Sequence, residues 1–519
     1  MKYDVVIIHP PANYDFRKQS VFTGPISFTV PESTDQFIVP PTGILSIADY
    51  LDRHGYQVIV DNIGERMVTS DSFDVEKHIK DYESKVFAIE LQWVRHSQGA
   101  IEMARLCKRL HPGAMVVIGG VTATIFYEEI INKYHFIDAV VRAEAEIPFL
   151  HLMNTLKESR PLKDVPNLTF RDNKGIVRTN ALLEPSADLD EYEFTRFDLL
   201  EPKSAIFSTY WPSHWALPVC RGCTQNCVSC GGSAYSYRTY FGRKSPAFRS
   251  PVKIIEDLRK AGEQGVQLVY LYQDPRIGGY EYWTSLLNKL QNEYLPIKQI
   301  TMQLFGPADE EYIRELSKVR VPVALTTSPE SGVDGIRIAH NKNYTNEELF
   351  KTIEICKKYG ITLDVFTMIA LANDTPDTIK ETWKFWEHLC KINAGYDGEV
   401  PSLYPYSFGP MILLDPGSLA FDFPGKYGYR TLFKNLEDYI KGQMLPSWHQ
   451  WISYETRYLD RNQIIENVLD SIEYSIKLRE RYGLYSKSDA EKHLAYFVSE
   501  SKEIIRMINR VMSFYSGDN

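Results

Sequence analysis

Two kinds of feature are missing from this sequence: long apolar runs and an excess of positive charge. No stretch approaches the roughly 18 apolar residues that a membrane-spanning helix requires, so no membrane span is expected. The formal net charge is −9 and no run of like charges occurs, which argues against a basic surface that binds nucleic acid. The N-terminal segment MKYDVVIIHPP does not resemble a signal peptide, and we expect a cytoplasmic protein.

Cysteine is also scarce, but its distribution is uneven. The 519 residues include seven cysteines, and four of them lie between positions 220 and 230. In a cytoplasmic chain, clustered cysteines indicate metal binding rather than disulfides.

The N-terminal part of the chain alternates short apolar strands with helices. The pattern predicts helices at 44–54 and 97–110 and strands at 3–9, 57–61, 85–91, 114–118 and 137–141. Strands separated by helices form a parallel sheet that is covered on both faces, and its ligands bind at the carboxyl ends of the strands. Residues 1–155 are therefore predicted to form a Rossmann-like parallel-sheet domain of the α/β class.

The rest of the chain divides into three segments. Residues 156–204 are predicted to be a linker with a hairpin that turns at 172–175. Over 205–425 the alternation resumes and predicts a partial (β/α)6 barrel, with strands at 215–219, 268–272, 299–304, 321–327, 362–369 and 402–408. Residues 426–519 are predicted to be mostly helical.

The central motif is a cysteine-rich loop. Cys223, Cys227 and Cys230 have the spacing C-x3-C-x2-C. Thiolates are soft ligands, and three of them can bind three irons of a 4Fe–4S cube while the fourth iron stays open. Zinc knuckles usually have two cysteine pairs separated by a longer insertion, so the spacing favours the iron–sulfur cluster. Cys220 is interpreted as a buried cysteine at a strand end rather than a catalytic group.

With these residues the segment around 205–420 resembles the radical S-adenosylmethionine enzymes. Gly231-Gly232-Ser233 is similar to the glycine pair that meets the methionine amino group of the cofactor in that family. Ser328-Pro329-Glu330-Ser331-Gly332 resembles the fourth-strand segment of the family, in which the glutamate contacts the ribose. Ser229 stands where the family usually has an aromatic residue.

The resemblance implies a definite chemistry and a set of partners. An electron enters the 4Fe–4S cluster, S-adenosylmethionine is cleaved, and a 5′-deoxyadenosyl radical abstracts hydrogen from an unactivated carbon. A reductant such as ferredoxin or flavodoxin is implied. Glu330 and Ser331, together with the 231–233 segment, are the predicted cofactor contacts.

Residues 1–150 resemble the cobalamin-binding domain that precedes many radical enzymes of this class. The resemblance rests on Pro10-Pro11, on Gly119-Gly120-Val121-Thr122, and on the segment 142–146, where Ala143 and Ala145 replace the glycines of an RGEGE-type motif. It implies cobalamin contacts at Pro10, Pro11, Trp93, Gly119, Gly120, Thr122 and Glu144. Trp93 could cover a corrin face or be a half-buried aromatic residue at a domain contact.

No D-x-H-x-x-G motif is present, so no histidine is expected as the lower ligand of cobalt. Asp52-Arg53-His54 comes nearest, but Gln57 stands where the glycine would be. His54 is interpreted as a helix-terminal residue.

Near the C-terminus, aromatic residues cluster at 448–458 and the final helix is amphipathic. Packing against the barrel is the expected role of both features. For the last helix the alternative is contact with a membrane surface or a lipid substrate, which would make the protein peripheral to a membrane.

Three functions are compatible with this pattern. Cobalamin-dependent methyl transfer to carbon is the commonest outcome in the class that the chain resembles. The alternative within the class is radical ring closure of a hydrophobic substrate such as an archaeal tetraether membrane lipid. A non-catalytic metal- or cobalamin-binding sensor is disfavoured, because a sensor needs no cofactor-cleaving barrel. The substrate is therefore expected to be a small molecule or a lipid.

Overall fold

Alternating apolar strands and amphipathic helices produce two parallel sheets, one in each half of the chain. The structure is a computed structural model that describes residues 2–19, 21–24, 38–203, 213–394, 403–410 and 414–516. Its strands are β1 (Lys2–His9), β2 (Val58–Asn62), β3 (Glu83–Glu90), β4 (Met115–Gly119), β5 (Ala139–Val141), β6 (Leu168–Arg171), β7 (Val177–Thr179), β8 (Leu200–Glu201), β9 (His214–Pro218), β10 (Cys220–Arg221), β11 (Ala247–Phe248), β12 (Leu268–Tyr272), β13 (Gln299–Leu304), β14 (Val323–Glu330), β15 (Thr362–Ile369), β16 (Leu403–Pro410), β17 (Tyr429–Thr431) and β18 (Tyr454–Thr456).

Helices connect most of these strands. They are α1 (Gly43–Arg53), α2 (Ile63–Thr69), α3 (Val75–Lys80), α4 (Ser97–Leu110), α5 (Val121–Ile125), α6 (Tyr127–Lys133), α7 (Glu146–Lys157), α8 (Ala234–Tyr240), α9 (Pro251–Glu263), α10 (Tyr280–Asn292), α11 (Glu310–Leu316), α12 (Asp334–Ala339), α13 (Asn346–Lys358), α14 (Pro376–Ala394), α15 (Leu419–Asp422), α16 (Pro424–Tyr427), α17 (Leu436–Gln443), α18 (Arg461–Arg481), α19 (Lys487–His493) and α20 (Ser501–Ser516).

The N-terminal sheet has the order β7-β6-β5-β4-β3-β1-β2-β8. Its strands from β8 to β5 are parallel, which confirms the predicted Rossmann-like fold. The hairpin predicted in the linker forms as β6 and β7, and it extends the sheet antiparallel to β5. β8, also from the linker segment, closes the opposite edge beside β2. The linker segment therefore contributes strands to both edges of the sheet.

Strand residues of the N-terminal sheet point alternately to two helical layers. Val5 and Ile7 of β1 pack in the core that contains α1 and α7. Val6 and Ile8 pack on the other face, in the core that contains α4 and also Tyr439 of α17. Burial on both faces explains why these strands are almost continuously apolar.

The second sheet has the order β16-β15-β14-β13-β12-β9 and all of its strands are parallel. Each strand follows its neighbour through a helical connection, and among the described residues β9 and β16 do not pair with each other. The predicted partial (β/α)6 barrel is therefore confirmed. Alternate residues of β12, β13 and β15 are fully buried and half-buried, because one side packs on the helices and the other faces the barrel lumen.

The C-terminal region is mostly helical, as predicted, and it adds the antiparallel ribbon β17–β18. Trp448, Trp451 and Tyr454 are completely buried in the barrel core, so the aromatic cluster serves packing. In α20 the side chains are described up to residue 510, and Met507 among them is exposed. Within the described residues, none of the helices has the length and apolar character needed to cross a bilayer.

Candidate functional site

The predicted cysteine loop follows β10, beyond the end of the first barrel strand. β10 pairs with β11 in a two-stranded ribbon. Gly222, directly after β10, has a φ of +99°, and a Cβ atom here would lie 2.9 Å from the Cα atom of Pro246. Glycine is therefore required at the point where the cysteine loop leaves the ribbon.

The three thiols lie on one loop, on which Cys223 and Cys227 are half-buried and Cys230 is exposed at its surface although many protein atoms lie around its thiol. Burial raises the pKa of Cys223 and Cys227, and it raises the pKa of Cys230 to about 12. No three His, Cys, Asp or Glu side chains of the described residues surround a point that could hold a single metal ion. Metal binding would hold the three thiols as thiolates.

The segment 340–342 packs against the cysteine loop. Asn341 donates a side-chain hydrogen bond of 2.7 Å to the carbonyl of Asn226. Burial raises the pKa of the Cys227 thiol, while the positive charge of Lys342 opposes this effect. Lys342 therefore supplies positive charge next to the loop on which an anionic cluster would sit.

Glu330, at the end of β14, connects Lys342 to the predicted cofactor site. Its Oε1 atom lies 2.9 Å from Nζ of Lys342. Its Oε2 atom is buried and has no hydrogen-bond partner among the described residues. The backbone of Glu330 has a φ of +65°, a left-handed conformation that costs energy for a residue with a side chain. An unpartnered carboxylate oxygen held in a strained backbone fits a group that accepts hydrogen bonds from ribose hydroxyls.

Ser331 is buried and acts within the turn after β14. Its Oγ atom accepts a hydrogen bond of 3.1 Å from the N–H of Val333. Arg337 donates to the Ser331 carbonyl and pairs with Asp334 at 2.8 Å. Arg337 is therefore committed to this turn, and Lys342 is the partner of Glu330.

The glycine pair after the cysteines lies beside the loop that follows β16. The N–H of Gly231 donates a hydrogen bond of 3.2 Å to Oδ2 of Asp415. A Cβ atom on Gly231 would lie 3.1 Å from both the Asp415 Cβ atom and the Pro416 carbonyl oxygen. Ser233 begins α8 as its N-cap, accepting a hydrogen bond from the N–H of Ser236. Its role in the structure is thus to start a helix.

A cavity of about 750 Å³ separates the carboxyl edge of the N-terminal sheet from the start of the barrel. We call it the interdomain cavity. The predicted residues that line it are Trp93, Gly119, Gly120, Thr122, Glu144, Gly231 and Gly232. The predicted residues that are not among its lining are Pro10, Pro11, Ser233, Glu330, Ser331 and the three cysteines. Strand ends of one domain and the glycine pair of the other therefore share one void.

The glycines at the end of β4 allow two backbone segments to approach closely. Gly120 has a φ of +117°, and a Cβ atom on it would lie 2.5 Å from the carbonyl oxygen of Leu91. Thr122 stabilises the same approach of the two segments, because its Oγ1 atom donates a hydrogen bond of 3.0 Å to the carbonyl of Gln92. Only glycine fits at position 120, and the backbone there forms part of the cavity wall.

Glu144 and Glu146 are held by arginines of the barrel half. Arg243 contacts both oxygens of Glu144, at 2.6 and 2.9 Å. Arg221, two residues before Cys223, contacts Glu144 at 3.2 Å and Glu146 at 3.1 Å. Burial lowers the pKa of Arg221, but the charges of Glu146 and Glu144 outweigh burial and raise it. The acidic segment predicted as a cofactor contact is thus also an ionic connection between the two domains.

The alanines that replace glycine in this segment behave differently from each other. Ala143 has a φ of +60°, a conformation natural to glycine, and its N–H donates to Oγ1 of Thr124 at 2.8 Å. Ala145 has a φ of −109°, which any residue adopts. The first substitution therefore keeps the glycine conformation at a cost, and the second carries no such cost.

Among the residues that the structure describes, no histidine lines the interdomain cavity. His54 lies at the end of α1, where its Nδ1 atom is 2.6 Å from the carbonyl of Tyr50, as expected for a helix-terminal residue. His9 is buried, and its Nδ1 atom lies 2.8 Å from Oε2 of Glu90, which does line the cavity.

Sequence reasoning missed Arg221, Asp415 and Glu90 as site residues. Arg221 adjoins the cysteine motif, and that position was the only available signal. Asp415 reaches Gly231 across 184 positions of the chain, a contact that no local pattern reveals. Cys220 is buried, as predicted, but it also lines the interdomain cavity.

Comparison with protein families identifies two domains in the chain. Residues 217–385 match the radical SAM superfamily, and residues 33–153 match the B12 binding domain. An uncharacterised methyltransferase of Pyrococcus horikoshii is 23% identical over 351 residues, which is 67% of this chain and 73% of the relative. Anaerobic magnesium-protoporphyrin IX monomethyl ester cyclase of Rubrivivax gelatinosus is 22% identical over 419 residues, which is 78% of this chain and 72% of the relative.

Among solved structures, the radical S-adenosylmethionine methyltransferase TsrM from Kitasatospora setae has a similar fold. The version with tryptophan and an S-adenosylmethionine analogue superimposes with a TM-score of 0.64 at 13% identity, covering 91% of this chain and 88% of TsrM. The fold of TsrM therefore extends over nearly the whole of this chain.

Proposed function

Because the chain is a radical S-adenosylmethionine enzyme that carries a B12-binding domain, we propose that it methylates an unactivated carbon of a small-molecule substrate with cobalamin as the methyl carrier. A 4Fe–4S cluster, S-adenosylmethionine and cobalamin are the cofactors of these two domains. The relative from Pyrococcus horikoshii carries the name of a methyltransferase and TsrM is one, which supports this choice within the superfamily.

The observation that carries the proposal is the interdomain cavity. The carboxyl ends of β3, β4 and β5 open into the same void as Gly231 and Gly232 of the cluster loop. For methyl transfer, the two domains would have to present their cofactors to one and the same substrate carbon. A single cavity bounded by both domains meets that requirement, because reacting groups need near-contact distances.

One part of the cavity wall is apolar, which supports its use as the binding site of the nucleotide tail of cobalamin. It is lined by apolar side chains of the sheet and of its covering helices, namely Ile7, Ile44, Ile47, Val117, Val141 and Phe149. An apolar slot of this kind suits a heteroaromatic base that has left cobalt. With no histidine in the described lining, we infer that cobalamin binds with its base detached and without a histidine ligand.

When bound, the cluster and S-adenosylmethionine supply hydrogen-atom abstraction and cobalamin supplies the methyl group. Cys223, Cys227 and Cys230 hold the cluster, and Lys342 balances its charge. Glu330 receives the ribose hydroxyls through its unpartnered Oε2 atom. The remaining role of the chain is to exclude water, which the aromatic walls around Trp215 and Phe241 serve.

Cobalamin binding is tested by anaerobic reconstitution with hydroxocobalamin, desalting and visible spectroscopy. We expect one equivalent of cobalamin to stay with the wild type and with Gly113→Ala, an exposed glycine with open space around its Cα atom. Gly120→Ala should lose it, because a Cβ atom there collides with the Leu91 carbonyl. A wild type that retains no cobalamin at saturating supply would contradict the methyl-transfer proposal.

The lower face of cobalt is tested separately, by electron paramagnetic resonance of the bound Co(II) form. We expect no hyperfine splitting from a ligand nitrogen. Splitting from a protein histidine would refute the inference about the lower face while leaving cobalamin binding intact.

The reaction is tested by mass spectrometry of small-molecule and lipid extracts after anaerobic turnover with S-adenosylmethionine and a chemical reductant. Methylation adds one methylene unit to a molecule of the small-molecule extract, with the carbon derived from labelled S-adenosylmethionine. A product that has lost two hydrogens without gaining label would instead identify ring closure or desaturation. Label that appears only in the lipid extract would contradict the small-molecule assignment.

A further inference from the structure

The lumen of the barrel contains a layer of polar side chains on neighbouring strands. In the parallel register Gln303 of β13 is opposite Thr326 of β14, and Thr326 is opposite Asp364 of β15. Residues opposite each other in a parallel sheet point to the same face, and the alternate residues Leu325 and Leu363 pack in the outer core. Gln303, Thr326 and Asp364 therefore face the lumen together.

Tyr270 connects this layer to the interdomain cavity. Its ring lines the cavity, and its hydroxyl lies 3.3 Å from Oγ1 of Thr326. Tyr272, two residues further along β12, also lines the cavity. Tyr270 therefore belongs both to the cavity wall and to the polar layer of the lumen.

Asp364 differs from the other carboxylates that the fold removes from water. Glu330 is paired with Lys342, and Glu146 is paired with Arg221. The side-chain carboxylate of Asp364 forms no hydrogen bond or ion pair with the described side chains or backbone groups, and the residue is only partly exposed. Desolvation alone raises the pKa of its carboxyl to about 6, since no neighbouring charge opposes the effect.

An unpaired carboxylate in a partly dry lumen lowers the stability of the folded protein. Such a group is useful where a ligand brings the missing partner, and aromatic side chains beside it would add cation–π attraction to a positive charge. On this geometry we propose that Asp364 binds a protonated amine of the substrate, with Tyr270 and Thr326 beside it. The inference rests on the proposed function, because it places the substrate between the barrel lumen and the interdomain cavity.

The assignment narrows the substrate to small molecules with a basic nitrogen. A carboxylate at this position would disfavour a purely hydrocarbon chain, which offers no partner for the charge. It would equally disfavour an anionic substrate by repulsion.

The test compares two probes of nearly equal shape, 2-phenylethylamine and its neutral counterpart 2-phenylethanol. Binding to the reconstituted holoenzyme with S-adenosylmethionine is measured by equilibrium dialysis at neutral pH. We expect the wild type to bind the amine about tenfold more tightly than the alcohol. Asp364→Asn should bring the two affinities within about twofold of each other, since the amide keeps the shape and removes the charge.

The matched control is Asp377→Asn. Asp377 is an almost fully exposed carboxylate in the first turn of α14, where Lys380 lies 3.7 Å away. This variant should keep the preference of the wild type for the amine. Equal binding of the two probes by the wild type, or a preference that survives Asp364→Asn, would overturn the proposal.

Two further readouts separate this inference from the proposed function. Asp364→Asn should retain the iron, the cobalamin spectrum and a melting temperature no lower than that of the wild type. Loss of cobalamin from the wild type would refute methyl transfer and leave the amine preference to be judged on its own. A clear drop in melting temperature for Asp364→Asn would show that the carboxylate supports the fold and would count against a ligand-binding role.

Discussion

The carboxylates at the carboxyl edge of the N-terminal sheet and those inside the barrel differ in whether the protein supplies partners for them. At the N-terminal edge, Glu144 and Glu146 are both held by arginines, and Glu90 lies 2.8 Å from a buried histidine. In the barrel, Glu330 has one oxygen without a partner and Asp364 has no partner among the described residues. The carboxylates of the N-terminal edge are thus paired within the protein, whereas Glu330 and Asp364 have carboxylate oxygens that a ligand can satisfy.

This difference separates two ways of building a binding site. A large amphipathic cofactor can be held mainly by shape, through apolar walls and close packing of backbone segments. Small polar groups on a sulfonium cofactor or a substrate need specific hydrogen-bond acceptors, and those acceptors remain unsatisfied until the ligand arrives.

The largest effect is expected at the cysteines. Replacing Cys223, Cys227 and Cys230 together with alanine should abolish iron binding and all 5′-deoxyadenosine production, because the cluster would lose its three protein ligands. Anaerobic iron and sulfide analysis measures the change. Cys220→Ala should keep the full cluster, and a triple variant that still cleaves the cofactor would end the assignment.

Arg221→Met tests the ion pairs at the carboxyl edge of the N-terminal sheet. Removal of the guanidinium leaves Glu146 buried without its partner, which should cost about 3–5 kcal/mol in the free energy of unfolding. Denaturant titration of the apoprotein measures this cost. The control Arg259→Met breaks a half-exposed pair with Glu293 and should cost about 0–1 kcal/mol. Equal losses in the two variants would mean that the interdomain pairs are energetically no different from surface pairs.

Glu330→Ala tests the carboxylate oxygen in the barrel that has no partner among the described residues. Loss of a charged acceptor for the ribose hydroxyls should weaken S-adenosylmethionine binding by about 1.5–3 kcal/mol while the iron content stays unchanged. Calorimetric titration gives the affinity directly. Glu347→Gln, which alters an exposed pair with Lys351, should leave the affinity as it is. Unaltered S-adenosylmethionine binding by Glu330→Ala would show that Glu330 does not contact the cofactor.

The charge of Asp364 should be visible in the pH dependence of stability. Its pKa is raised from an unfolded value near 3.9 to about 6, so the folded state favours the protonated form and loses stability as pH rises between these values. Asp364→Asn should therefore be more stable than the wild type by about 1–3 kcal/mol at pH 8 and equal to it near pH 4. Denaturation of the two apoproteins at both pH values measures the difference, and a constant gap would contradict it.

The smallest effect concerns backbone strain at Ala143, in the segment that carries the paired glutamates. Ala143→Gly should stabilise the protein by up to about 1 kcal/mol, because glycine adopts the observed φ of +60° without a steric penalty. Ala145→Gly should destabilise the protein by a similar amount. Ala145 has an ordinary backbone conformation, so glycine relieves no strain there and only raises the conformational entropy of the unfolded chain. Thermal unfolding of both variants gives the comparison, and changes of the same sign would show that strain at Ala143 does not matter.

The sequence predicted the architecture well because its strands carry local signals. The predicted strands at 268–272, 299–304 and 362–369 coincide with β12, β13 and β15. Their alternation of core-facing and lumen-facing residues, bounded by turn residues, suffices to define them. The cysteine spacing likewise depends on adjacent positions alone.

The site was harder to predict because tertiary contacts assemble it. The segment 142–146 was recognised, but nothing local indicates that Arg221 and Arg243 would hold its glutamates. Asp364 is part of a correctly predicted strand, yet its lack of a partner depends on what the neighbouring strands bring to the lumen. Motifs therefore gave the positions of the residues, and the fold decided which of them remained available to a ligand.

The strands that the linker segment donates to the N-terminal sheet have a practical consequence for dissecting the enzyme. A fragment that ends at residue 155 would lack β6, β7 and β8, and both β5 and β2 would become open edges. Open edges present rows of unpaired N–H and C=O groups, which promote aggregation. A fragment of the B12-binding half that keeps all eight strands must include β8 and so extend at least to Glu201, beyond the hairpin of β6 and β7.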